Sequence, residues 1–225
     1  MNRPQEAWPF NARHVQDLRK LVARGEGQHL EFKRKATYPE KIVREMVAFA
    51  NTSGGVLLVG VGDVGTLPGM EYPKGESHVI HDALTKCRPA LPVTEEFIPI
   101  GNGRTVISYK IADSERKPHY QSVEGQKEFF VRVNDQSIKA SREVREIVKR
   151  SRKKKDIRFH YGEHERSLMK YLDANKAITL KTFMEMSGLK RFSASRKLVL
   201  LVLADVLRVT PHERGDLYSL AFGKE

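Results

Sequence analysis

With one cysteine, Cys87, the chain cannot form an intramolecular disulfide. That suits a reducing compartment, where disulfides are rare. Glycine (16) and proline (10) are too sparse for a low-complexity chain, and 40% hydrophobic residues fit a folded one. The longest apolar run, Leu198 to Ala204, is far short of the roughly 20 residues that span a bilayer. The opening residues have no apolar segment leading to a small-residue cleavage site, so no secretory signal is expected. A cytoplasmic location, with no membrane partner, is the default expectation. No G-x-x-x-x-G-K-[ST] phosphate loop occurs, which argues against an ATPase. Gly60-Val61-Gly62-Asp63-Val64-Gly65 matches G-x-G-x-x-G, but Thr66-Leu67-Pro68-Gly69 follows where a dinucleotide site needs a helix to open.

What the chain has in excess is positive charge, +12 over 225 residues. It is concentrated: Lys139 to Arg158 holds 10 basic and 3 acidic residues, a net of +7 in one short stretch. A polyanionic partner follows from such a balance. Within that stretch Arg150, Arg152, Lys153, Lys154 and Lys155 are the candidate phosphate contacts, the alternative being a solvated linker.

Apolar spacing predicts an amphipathic helix over Asn11 to Ala23, capped by Asn11, and a second over Pro39 to Ala50. Between them Leu30 and Phe32 alternate with Glu31 and Lys33, placing the two charged residues on an exposed strand face. Val56 to Val61 reads as a strand covered on both sides. A third helix is expected over Glu76 to Arg88, strands over Thr94 to Ile100, Arg104 to Ile111 and Lys127 to Val133, and a fourth helix over Ser137 to Arg150. Asn102-Gly103 marks a hairpin between the first two of those strands.

The expected organisation is a mixed α/β (α+β) domain over residues 1–150, a basic linker over 151–162, and a small domain over 163–225. In the last, helices over Glu163 to Ala174, Lys181 to Ser187 and Ala194 to Ala204 (capped by Ser193) precede a hairpin of Leu207 to Thr210 and Leu217 to Ala221. Three helices and a hairpin are the layout of a winged helix-turn-helix domain. If that domain binds DNA, Lys190, Arg191, Ser193, Ser195, Arg196 and Lys197 face the groove and Arg214 lies at the wing tip. Against this, Leu198 to Leu203 is apolar nearly all round and predicts burial on several faces, with protein contact as the rival use.

Glu26, Glu31 and Asp63 are the candidate metal-binding and catalytic acids, since hard ions such as Mg²⁺ and Mn²⁺ take carboxylate oxygens and activate water for phosphodiester hydrolysis. Their bland alternative is surface charge. Lys33 and Lys35 follow the second glutamate; Lys33 is placed to bind a phosphate or to pair with Glu31. Asn51-Thr52-Ser53-Gly54-Gly55 is expected to make a tight helix-to-strand turn, with Asn51 and Thr52 bonding freed backbone groups.

Glu26-x-x-x-x-Glu31-Phe32-Lys33, Ala48-Phe49-Ala50-Asn51-Thr52-x-Gly54-Gly55, Leu57-Leu58-Val59-Gly60-Val61 and Asp63 together resemble the AlbA-like domain of the Schlafen family. Lys117-Pro118-x-Tyr120 and Phe130-Val131-Arg132-Val133 are similar to its later segment. The resemblance spans about Ala23 to Ile147 and implies a nucleic-acid-binding α/β fold. In Schlafen nucleases two glutamates and an aspartate bind a divalent ion and cut structured RNA, tRNA in particular; by motif these fall on Glu26, Glu31 and Asp63. Such nucleases use a paired core, so one copy here implies a homodimer. Bacterial relatives that join this domain to a winged helix are usually called transcriptional regulators or ATP-binding proteins. A DNA-binding regulator is therefore the leading expectation. A Mg²⁺- or Mn²⁺-dependent endoribonuclease is the alternative, and a protein-assembly module the third.

Overall fold

A computed structural model describes residues 8–152, 157 and 159–222. It divides into two compact units, Met1–Ser137 and Ile138–Glu225.

The first unit opens with helix α1, Ala12–Val22, whose N-terminal amides at Arg13 and His14 donate to the Asn11 side chain. Strand β1, Leu30–Lys33, leads to α2, Pro39–Asn51, and β2, Gly55–Val59. Helix α3, Pro73–Leu84, starts earlier than expected because Pro73 sits in its first turn, where a missing amide hydrogen costs nothing. Strands β3 (Cys87–Arg88), β4 (Val93–Gly101), β5 (Arg104–Ile111), β6 (Tyr120–Val123), β7 (Gln126–Glu128), β8 (Phe130–Val133) and β9 (Gln136–Lys139) follow.

The central sheet runs β1-β2-β5-β4. β1 and β2 are parallel, with Glu31 opposite Leu57; the other pairs are antiparallel. Strand β2 is covered on both faces, as its uninterrupted apolar run requires. Leu57 and Val59 pack with Ile42, Met46 and Phe49 of α2, while Leu58 packs with Leu18 and Val22 of α1. The α2–β2 turn needs its glycines. Gly54 has φ +74 and lies against the Ile111 carbonyl, and a Cβ on Gly55 would stand 2.5 Å from the Phe49 ring. Asn51 reaches further than its own turn: its Nδ2 donates to the carbonyls of His119 and Phe130, and its Oδ1 accepts from the His119 amide.

The second unit contains α4 (Arg142–Arg150), α5 (Glu163–Ala174), β10 (Ile178–Thr179), α6 (Leu180–Ser187), α7 (Arg191–Leu203), β11 (Leu207–Thr210) and β12 (Leu217–Leu220). Its sheet order is β10-β12-β11, antiparallel throughout. The core gathers Leu168, Leu172, Phe183, Leu198, Leu201 and Tyr218. One expectation needs correction here. Ser137 to Arg150 is not one helix: it is the end of β9, then α4, which Ser141 caps by accepting from the Val144 amide. The division into compact units falls at Ser137 and Ile138, so α4 lies in the second unit. Its physical reason is that α4 packs on α7, where the Ser195 hydroxyl donates to Glu143 at 2.7 Å.

Candidate functional site

The sheet edge at β1 gathers the acids that the sequence singles out. Glu31 is not on an exposed face; it is only 6% exposed. The cause is Arg132, projecting from β8, whose guanidinium is itself sealed. Nη2 of Arg132 donates to Glu31 Oε2 at 2.6 Å, and Nη1 donates to Glu45 Oε2 at 2.9 Å. Nε and Nη2 also donate to the Gly27 carbonyl at 3.2 and 2.9 Å. The same guanidinium lies 4.9 Å from the centre of the Phe49 ring. Lys33 holds the other Glu31 oxygen, Oε1, in an ion pair. Arg44 pairs with Glu45 Oε1 at 3.1 Å, and the Ser137 hydroxyl donates to Glu45 Oε2. Two buried carboxylates are thus answered by three cations, which is how a protein interior tolerates such groups.

Glu26 plays a different part. Gly25, at φ +73, turns the chain so that Glu26 folds back and accepts the Phe32 amide hydrogen at 2.7 Å. Strand β1 is at the edge of its sheet, so this carboxylate takes an amide that no neighbouring strand reaches. Partial desolvation raises the carboxyl above its ordinary pKa, the Phe32 amide opposes that, and the charges of Glu31 and Asp63 raise it further. Asp63 is exposed in the loop after β2 and, with Gly25 and Phe32, lines a cavity of about 400 Å³. Glu31 and Asp63 therefore both lie within electrostatic reach of Glu26.

They do not form a ready metal site. Both oxygens of Glu31 are occupied, by Lys33 and Arg132. Among the described residues no group of three or more His, Cys, Asp or Glu is placed to hold a metal ion. The donor set present does not fit a divalent ion without displacing a cation.

The expected nucleic-acid contacts separate. Lys33 is spent on Glu31, whereas Lys35 is exposed. On α7, which begins at Arg191 with Lys190 rather than Ser193 as its cap, the residues Arg191, Phe192, Ser193 and Arg196 are exposed. Lys197 instead pairs with Glu165 of α5, and Ser195 is bonded to Glu143. Burial pushes Glu165 up, yet Lys197 and the Gly162 amide outweigh it and hold the carboxyl below its usual range. Arg214 is exposed in the β11–β12 turn, Arg150 pairs with Glu146 at 3.8 Å, and Arg152 is exposed. Lys153, Lys154 and Lys155 lie outside the described residues.

Sequence reasoning missed Arg132, Glu45 and Ser137. A signal existed for two of them. Arg132 interrupts the apolar strand Phe130-Val131-Arg132-Val133, and Glu45 falls on the buried stripe of α2 with Ile42, Met46 and Phe49. A charge in such a position needs a partner.

A mixed sheet flanked by helices, with Glu31 on its edge strand, defines an α+β domain. The chain belongs to the Schlafen, AlbA_2 family, whose model matches residues 26–141. A crystal structure of the DIP2311 protein from Corynebacterium diphtheriae is similar at 20% identity and a TM-score of 0.43, covering 61% of this chain and 28% of that one. The chain spans little more than a quarter of that protein's length. No curated protein matches. No described helix is long and apolar enough to cross a membrane.

Proposed function

We propose that this is a nucleic-acid-binding protein acting as a dimeric DNA-binding transcriptional regulator, in which α5, α6, α7 and the β11–β12 hairpin work as a winged helix. The observation that carries the reading is the split character of α7. Its C-terminal half is sunk in the core through Leu198, Leu201 and Leu203, while its start exposes Arg191, Phe192, Ser193 and Arg196. A recognition helix meets base edges with its N-terminal residues, so this is the half that needs to be free. Arg214 in the hairpin turn and the basic stretch through Arg150 and Arg152 supply backbone contacts. Duplex binding measured against salt tests this. Each phosphate contact contributes about −0.9 to the slope of log K against log salt, so Arg152→Ala with Arg214→Ala, the two backbone contacts, flattens it by about 2. Binding no tighter than a neutral control protein, or a slope indifferent to both changes, refutes the proposal.

One observation favours a second reading, a divalent-metal-dependent endoribonuclease acting on tRNA or other structured RNA. Glu26 is pushed up partly by Glu31 and Asp63, a mutual repulsion that a bound cation relieves. Under this reading Glu26, Glu31 and Asp63 would hold Mg²⁺ or Mn²⁺ once Lys33 or Arg132 is displaced from Glu31. Incubation with tRNA in Mn²⁺ and in chelator tests it; cleavage that persists in chelator or in Glu31→Ala is not this site.

A further inference from the structure

A cavity of about 570 Å³ lies on the first unit, away from the acids, between the start of α3 and the β4–β5 turn. Trp8, Phe10, Tyr72, Lys74, Pro99 and Arg104 are among its walls. Its size is that of a small-ligand site, which spans about 300–1,000 Å³. The aromatic content is what sets it apart. Phe10 is 60% exposed and Tyr72 71% exposed, so two ring faces on the cavity stand open to a planar guest. Trp8 is already held in a parallel stack on Phe97, centroids 4.2 Å apart and planes 6° apart, so the wall is fixed in position by packing. Cations stand beside the rings: Lys74 Nζ is 5.7 Å from the centre of the Trp8 ring, and Arg104 is anchored by Glu71 at 2.8 Å. The surroundings leave room for a planar guest, since a Cβ on Gly75, Gly101 or Gly103 would meet nothing within 4 Å.

We propose that this cavity binds a nucleobase carrying a phosphate, stacked on the exposed rings of Phe10 and Tyr72 with its phosphate toward Lys74 and Arg104. Flat aromatic faces accept any base, and an adjacent ammonium and guanidinium select the anionic nucleotide over a neutral aromatic. The source is either a free nucleotide or the unpaired end of a strand, and the recognition chemistry is the same. The proposal goes beyond duplex binding by α7 and does not depend on it, because none of these residues belongs to the second unit.

Trp8 is the only tryptophan, so its fluorescence reports this wall alone. The full chain is titrated with AMP, with ribose 5-phosphate and with a short single-stranded oligonucleotide, and equilibrium dialysis against the same ligands reads binding without relying on the ring. AMP or the oligonucleotide is expected to bind saturably and ribose 5-phosphate not. Tighter binding of AMP identifies free nucleotide as the source; tighter binding of the oligonucleotide identifies a strand. Tyr72→Ala and Phe10→Ala are each expected to weaken binding about tenfold, the low part of the range for one stacked base. Arg191→Ala leaves it unchanged, which separates this site from the duplex-binding reading. The proposal is overturned if neither AMP nor the oligonucleotide binds at millimolar concentration, if ribose 5-phosphate binds equally well, or if both ring variants keep wild-type circular dichroism and wild-type affinity.

Discussion

Replacing Arg132 by methionine tests the network under β1 most directly. The side chain is 1% exposed and makes its strongest bonds to Glu31 and Glu45, whose side chains are 9% and 7% exposed. Removing one member of a buried ion pair costs about 3–5 kcal/mol, because the partner charge stays buried without its answer. Here Lys33 and Arg44 remain, each still touching one of the two carboxylates, so the low end of about 3 kcal/mol applies. For a urea m value of about 2 kcal/mol/M, the midpoint falls by about 1.5 M. The assay is urea unfolding followed by Trp8, which is stacked on Phe97 of β4 and so reports the first unit. A control separates charge from packing. Arg132→Met combined with Glu31→Leu and Glu45→Leu removes the stranded acids and is expected within about 1 kcal/mol of the wild type, as buried ionic clusters often exchange for apolar ones at little cost. A midpoint shift under about 0.5 M for the single change, or a triple variant worse than the single, would sink the reasoning.

Burial pushes the Cys87 thiol up to about 12 against the weaker pull of Arg88, so Ellman's reagent is expected to label it only on unfolding; labelling of the native protein at the rate seen in urea contradicts this. His119 is held below its ordinary pKa by burial first and then by Arg116 and Lys117, despite the opposing Pro89 carbonyl. The native state therefore resists the proton, and stability present above pH 6.5 is expected to fall as pH drops through that value toward the lowered one. His119→Gln, followed by urea midpoints at pH 7 and pH 5.5, should flatten this slope; an unchanged slope refutes it. A divalent ion bound by the acids would stabilise the fold by about 2.7 kcal/mol at a hundred times its Kd. With Glu31 already paired, 1 mM Mn²⁺ is expected to leave the Trp8 midpoint where chelator leaves it, and a clear rise would restore the metal reading.

Much of the framework was legible because local chemistry and final packing agree. Asn11 caps α1, Gly54 and Gly55 make the turn before β2, and Asn102-Gly103 closes the β4–β5 hairpin with both residues at positive φ. The failures have a common cause in distant partners. Strand β6 pairs with the distant Cys87–Arg88 on one side and with its neighbour β7 on the other, and strand β9 is too short to show a period of its own. Alternation placed Glu31 opposite Leu30 and Phe32 correctly, yet that face is closed by a residue about a hundred positions away. Periodicity shows which side a residue takes and says nothing of what covers that side. Reading Arg132 and Glu45 as charges stranded in apolar positions was the available clue, and it needed both to be weighed together.

The balance of charge at the sheet edge bears on what can approach it. Glu31 and Glu45 together carry two negative charges, and Lys33, Arg44 and Arg132 return three positive ones. Left unanswered, those acids would repel a phosphate backbone, and the chain's excess of +12 would act only at a distance, screened over roughly 10 Å in ordinary salt. Answered from inside, they leave an edge whose remaining negative character rests on Glu26 and Asp63, and Glu26 already resists ionising. Arg132, between Glu31 and Glu45, thus does two things a divalent ion would do: it neutralises carboxylates and fixes their geometry. What it does not supply is a lowered water pKa. That difference fits a nucleic-acid-binding role in which Glu31 serves the fold. Glu31 of β1 and Glu45 of α2 are both tied to β8 through that one guanidinium.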